Sequence, residues 1–317
     1  MKEVSNPILE VLQSTFSKST ISEIESNYFE STSTVKKWTC YSDYCFGDDN
    51  KPNDVVTFSL IPYVDNFTEL SAFIKSVAAT DIKNTQRVTE EFIDFLTKYP
   101  AINFSFILNN KKRIFGNNNT EIRKSLEETF SLIKQQYIAW IPNQPEQSET
   151  YKLIIKKLNC TINLIKANKK IKQIVEMTLV CFLGAYVSSI ILKKTKAEIF
   201  GWLSDRDSIH EVCDHLSIDL FHNYLHGLSN QHRFEFIVAS ATSKDIPFYD
   251  ELLKIPDYIA GTLADYDYNN NQISKEKFDT VLTNYMAKNT HNNFVFILES
   301  IEGALNCSRI KFYKNAE

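Results

Sequence analysis

The sequence predicts an α/β domain built on a mixed β-sheet. Short runs of strand-forming residues alternate with longer segments of helical periodicity. The first two of those runs are joined by a polar Gly/Pro/Asn loop, the signature of an antiparallel hairpin. Composition agrees: the chain has 317 residues, 43% hydrophobic and 23% charged, which is a globular balance. A chain of this length buries a core without needing a disulfide or metal staple.

Taken in order, residues 1–34 are expected to form an N-terminal helical segment. Thr20 and Glu23 have capping-box spacing there. WTCYSDYCF (38–46) and VVTFSLI (55–61) are the first two strands, with the turn at 47–53. Helical spacing returns at 66–79 and 85–99, and INFSFIL (102–108) is a third strand. A helix opens near Thr120, and a loop at 142–150 leads to a basic helix and an apolar one filling 151–196. A fourth strand, 198–205, ends on Asp205 and is followed by a helix over 206–228. A fifth strand at 234–240 and a helix over 257–267 complete the main domain, drawn at 35–268 with its basic helical insertion at about 120–196. The remainder, 269–317, is a C-terminal extension of one helix (274–288) and two short strands (293–299 and 308–313).

Several classes of function are excluded or disfavoured. Glycine numbers only 7, and neither GxGxxG nor GxxxxGK[ST] occurs, so the common phosphate cradles are absent. No GxSxG marks a nucleophile elbow. The six cysteines contain no CxxC, and the N-terminus has no apolar stretch followed by a cleavage site, so reduced thiols in a cytoplasmic protein are expected. Met177–Leu192 is uncharged but 16 residues long, short of the ~20 a membrane span requires; a buried core helix is expected, and no membrane partner. The net charge of −4 hides an asymmetry, because ten lysines and one acid occupy 152–196. Lys156, Lys157, Lys166, Lys169, Lys170 and Lys172 are the densest group, suited either to a solvated face or to backbone phosphates.

Three aspartates stand where acids need a reason. Asp43 lies inside a predicted strand, where aspartate is depleted and costly to bury unpaired. Asp205 ends the fourth strand at a β-to-α junction, and Asp257 is expected to begin a helix just after Pro256. Capping is the ordinary alternative for the last two. Converging carboxylates are the usual ligands of Mg²⁺ or Mn²⁺ in phosphodiester chemistry, because hard cations take oxygen donors and bind phosphate directly.

The segments Tyr41-Ser42-Asp43-Tyr44-Cys45, VVTFSLIPY, Trp202-Leu203-Ser204-Asp205-Arg206-Asp207 and Pro256-Asp257-Tyr258-Ile259-Ala260-Gly261 resemble a broad bacterial family of RNase H-like proteins. That family opens on Tyr-x-Asp-Glu-Ser and closes on Ala-Asp-[Leu/Ile]-x-Ala-Gly. The resemblance covers roughly residues 38–268 and implies an RNase H-like mixed five-stranded sheet with flanking helices, the first and fourth strands side by side. It implies a nuclease, or nuclease-like protein, whose metal ligands fall on Asp43, Asp205 and Asp257, with a role in phage or mobile-element defence; the lysine density adds an expected contact with the backbone phosphates of nucleic acid. Tyr44 and Cys45 stand where the family has Glu and Ser; Asp207, Asp245 or Asp48 are the candidate replacements. The rival expectation is a non-catalytic binding or assembly subunit of a larger complex.

Two further patterns carry less. His215, Asp219, His222 and His226 share a helical face, expected to be solvated. Asp265–Glu276 imitates a calcium loop but has Asn270 where the turn needs glycine, so a polar connection is expected.

Overall fold

The structure, a computed structural model, describes residues 6–230, 232–238, 248–288 and 291–313. Among them the backbone forms one seven-stranded mixed sheet, not five, in the order β5-β4-β1-β2-β3-β6-β7. The strands are β1 (Lys37–Cys45), β2 (Val55–Pro62), β3 (Ile102–Ile107), β4 (Ile199–Ser204), β5 (Glu235–Val238), β6 (Asn293–Ile301) and β7 (Ala304–Ile310). The expected hairpin is present: β1 pairs antiparallel with β2, and β2 with β3. β4 lies parallel beside β1, and β5 parallel beside β4. The two extra strands come from the C-terminal segment, where β6 joins β3 in parallel and β7 folds back antiparallel. Glu302 and Gly303, both at positive φ, make the tight two-residue turn between them.

Strand alternation divides the core in two. On one face Cys40, Phe58, Leu60, Phe104 and Phe106 meet α1 (Pro7–Thr15), α2 (Ile21–Asn27), α6 (Asn119–Trp140), α7 (Ser148–Lys166), α8 (Ile171–Thr195) and α9 (Leu216–Leu228). On the other, Tyr41, Val55, Ile61, Ile107 and Leu203 meet α4 (Phe67–Val77), α5 (Glu90–Lys98), α10 (Tyr249–Asp265) and α11 (Glu276–Val281). A short α3 (Phe29–Thr32) leads into β1. The apolar run 177–192 lies in α8, which is long and apolar enough to cross a membrane. Here every residue from Ile174 to Ser189 is buried within the fold. Gly184 permits that packing: a Cβ there would stand 2.6 Å from the ring of Phe58 and 2.8 Å from that of Phe221.

Several expectations change in detail. Thr20 caps nothing, because the chain stays helical through it. The second helix starts at Glu90, capped by Thr89, not at 85. The segment 206–228 is helical only in its second half; Ser208–Glu211 is a single 3₁₀ turn, and Cys213, Asp214 and His215 are consecutively left-handed before α9 begins. Residues 239–240 of the expected fifth strand lie outside the described residues, as does Asp245. Cys160 and Cys213 form a disulfide with Cα atoms 6.0 Å apart, in place of the expected free thiols; Cys40, Cys45, Cys181 and Cys307 are free.

Candidate active site

Asp43 and Asp205 come together because β1 and β4 are adjacent and parallel. Ser42 pairs with Ser204, and the N–H of Asp205 continues the ladder by donating to the Ser42 carbonyl at 2.9 Å. Asp43 is therefore the next residue of β1, and Asp205 the first beyond β4. By alternation both side chains share the face of Tyr41 and Leu203, the face that α10 covers. α10 brings Asp257 to the same place.

Asp257 does not begin a helix. α10 starts eight residues earlier, at Tyr249, and carries Pro256 in its interior at the expense of one backbone hydrogen bond. Capping its own helix is thus excluded for Asp257, and the structure shows another partner. Its Oδ2 accepts the N–H of Ile82 at 2.7 Å. The same stripe of α10 holds the rest of that loop: Lys254 Nζ donates to the carbonyls of Ala78 and Ala79, and the Tyr258 hydroxyl to that of Thr80. From α11, Lys277 Nζ donates to the carbonyls of Ile82, Lys83 and Thr85. Gly261 completes the stripe, since a Cβ there would meet Ile82 Cγ2 at 2.6 Å. The closing segment of the resemblance, Pro256–Gly261, is therefore, together with Lys254, a clamp on residues 78–85.

That loop delivers Asp81, a carboxyl the sequence reading did not single out; it sits in a polar connection with no periodicity to mark it. Partial burial pushes the Asp43 carboxyl well above the ordinary aspartate range, with Asp257, Asp205 and then Asp81 adding repulsion. Asp257 is raised by burial too, against the opposing Ile82 N–H and with added repulsion from Asp81 and Asp205. Asp205 stands at the rim, yet desolvation of its carboxyl raises it, and Asp207 and Asp81 raise it further. Among the described residues none of the three is ion-paired with a lysine or arginine. Oxygen donors of this kind, crowded and lacking a countercharge, suit a hard divalent cation. Among the described residues, however, no three His, Cys, Asp or Glu side chains are grouped within reach of one ion.

Asp207 accepts the Ile209 N–H at 2.9 Å and so caps the 3₁₀ turn. Asp48 is exposed and accepts from Asn50 within its own turn. Tyr44, on the opposite face, forms a 2.5 Å hydrogen bond with His210 Nε2, which also lies 2.9 Å from Ser204 Oγ. His210 Nδ1 meets Ser217 Oγ at 2.9 Å, and burial depresses the imidazole pKa to about 4. Ser204 accepts in turn from Ser42, which accepts from the Trp202 indole. This polar chain locks the ends of β1 and β4 from behind.

The lysines fall into two groups. Lys166, Lys169, Lys170 and Lys172 surround the turn between α7 and α8, all exposed, with Lys166 paired to Glu127 at 3.1 Å. That turn stands at the same end of the sheet as the acids: Lys172 lies against Gly47, two residues beyond β1, and Gln173 donates to Ser208. Lys156 and Lys157 lie back along α7 beside the disulfide, and Lys157 pairs with Asp219 at 2.9 Å. The histidine stripe is dispersed, with His222 stacked on Phe236 and His226 against Trp140. The calcium-like loop is a polar connection: Asp265 accepts from Ser274 and Lys51, and Asp267 from Asn269 and Asn270.

No family model, curated protein or solved structure matches this chain.

Proposed function

We propose that the protein is a metal-dependent nuclease with an RNase H-like core, acting in the cytoplasm on nucleic acid. The observation that carries this reading is the register of β1 and β4, which sets Asp43 and Asp205 side by side under α10 and Asp257. In this reading β1 to β5 form the RNase H-like unit, and β6 and β7 widen it. Asp43, Asp205 and Asp257 would hold Mg²⁺ or Mn²⁺, which supplies Lewis-acid polarisation of a phosphate and neutralises charge as the phosphodiester is displaced. The clamp on residues 78–85 holds Asp257 in position, and the lysines of the α7–α8 turn would hold the backbone phosphates beside the acids. A defence role against phage or mobile elements accords with such chemistry but rests on the resemblance alone.

Calorimetric titration with Mn²⁺, paired with cleavage assays on single-stranded and duplex DNA and on RNA, tests the reading. Asp43→Asn and Asp205→Asn should abolish tight Mn²⁺ binding and cleavage together. Cleavage that survives both substitutions would show the assignment to be wrong.

A second reading is a non-catalytic subunit that binds nucleic acid or assembles with other proteins. One observation favours it: Tyr44, at the position where the resemblance expects a glutamate, shares a hydrogen bond with His210 and adds no carboxylate. Salt-dependent nucleic-acid binding without cleavage in any divalent metal would select this reading.

A further inference from the structure

Cysteine is used in two ways in this fold. Cys40, Cys181 and Cys307 are buried and Cys45 is partly so, and burial pushes all four thiols above the ordinary range, to about 11 for Cys45 and Cys307. Thiols of that kind are inert. Cys160 is exposed on α7 and Cys213 partly exposed, and their disulfide lines an open cleft of about 470 Å³ with Lys156, Lys157, Asp214 and Asp219. The pair is therefore reachable by small thiols, in a cleft where Lys157 is paired with Asp219 at 2.9 Å.

The bond joins elements 53 residues apart at a point where the backbone needs holding. Cys213, Asp214 and His215 have φ of +47°, +60° and +58°. Three successive left-handed residues with a Cβ are unfavourable and persist only when their surroundings dictate it. Val212 and Leu216 are buried on either side, and the disulfide fastens the segment to α7. Three residues before it comes His210, which bonds Ser204 and Tyr44 at the ends of β4 and β1. Two residues after it comes Ser217, which bonds the other nitrogen of the same ring.

We propose that Cys160–Cys213 is a reversible thiol–disulfide site, open to small dithiols and disulfides, whose state sets how firmly residues 205–216 are held at the end of β4. A dithiol donor attacks Cys160 Sγ as its thiolate, and the S–S bond breaks with Cys213 leaving as thiolate. The donor's second thiol then displaces Cys160 as thiolate and closes the donor's own disulfide. Two electrons pass from donor to protein, and the two cysteines take up two protons. A low-molecular-weight disulfide drives the reverse. The site stands independently of the nuclease reading, because its readout is the backbone of 205–216 and not cleavage.

The test uses the full chain equilibrated with glutathione disulfide or with dithiothreitol, followed by alkylation, peptide mapping and amide hydrogen exchange. Under native conditions the oxidised protein should yield no alkylated Cys160 or Cys213, and dithiothreitol should expose those two ahead of the other four. Exchange across 205–216 should become several-fold faster on reduction, with the strands β1 to β3 unchanged. Cys160→Ser with Cys213→Ser should exchange like the reduced protein in either buffer. Free Cys160 and Cys213 in the glutathione-disulfide sample would overturn the proposal. So would equal exchange across 205–216 in the oxidised and reduced wild-type protein, a comparison that needs no variant to fold.

Discussion

The Asp257 carboxylate accepts the backbone N–H of Ile82 at 2.7 Å, tying the middle of α10 to a loop 175 residues away in sequence. Lys254, Asp257, Tyr258 and Gly261 recur at i, i+3, i+4 and i+7, so one stripe of a helix grips one loop. The bond gives Asp257 a structural task as well as a place among the acids. It also explains why the short motif ends in glycine.

Gly261→Ala should accordingly destabilise the protein, although alanine is the better helix former by about 1 kcal/mol. The new Cβ would meet a methyl of the stiff, β-branched Ile82 at 2.6 Å, and overpacking of this kind costs roughly 1–3 kcal/mol. Urea unfolding measures it. Stability equal to or above that of the wild type would mean the loop is not pressed against α10.

Asp43→Asn should stabilise the metal-free protein at pH 7.5. The folded-state pKa of Asp43 is raised above its unfolded value, so its contribution is most favourable below the unfolded pKa and is lost as pH rises through the folded one. At neutral pH the partly buried, crowded acid is therefore a burden, which the neutral amide relieves. Thermal unfolding with and without Mn²⁺ separates the two effects. The wild type should gain stability from Mn²⁺ and the variant should not.

Acid should unlock the back of the site through His210. Its folded pKa of about 4 lies below the ordinary 6.5, so below pH 6.5 the unfolded chain binds a proton that the folded protein refuses. The imidazole thus withdraws stability progressively as pH falls from about 6.5 towards 4. His210→Asn should flatten that part of the stability curve. An unchanged slope between pH 6.5 and 4.5 would show that the ring is not buried neutral.

Alanine at Lys169, Lys170 and Lys172 should weaken nucleic-acid binding to a similar degree across sequences. The plot of log affinity against log salt should become shallower by about 0.9 per lost duplex phosphate contact. Alanine at Lys156, remote from the strand ends, should have the smaller effect. Equal losses from the two groups would argue for diffuse attraction and against a track beside the acids.

Lys111 is buried between Asp54 and Glu176, 3.2 Å from the latter, so Lys111→Met leaves two carboxylates without their cation. Removing one partner of a buried ionic group costs roughly 3–5 kcal/mol. Chemical denaturation should show a loss of that order, and a loss below about 1 kcal/mol would mean that water reaches the triad.

The sequence by itself determined the α/β class, the antiparallel β1–β2 hairpin and the core role of the apolar run in α8. Each rests on local information: residue periodicity, a polar turn, or the length of an uncharged stretch. It also pointed to Asp43, because an acid inside a strand is anomalous wherever the strand ends up. What only the tertiary structure decided depends on pairing between distant segments. The pairing of β6 with β3, the Cys160–Cys213 bond and the arrival of Asp81 leave no local trace, since their partners lie tens to hundreds of residues away. Asp257 shows the division most clearly. Proline before it suggested a helix start, whereas contacts along the whole of α10 carried the helix through Pro256 and turned the acid towards Ile82. Packing outweighed the local signal there because one lost backbone hydrogen bond is small beside a buried seventeen-residue helix.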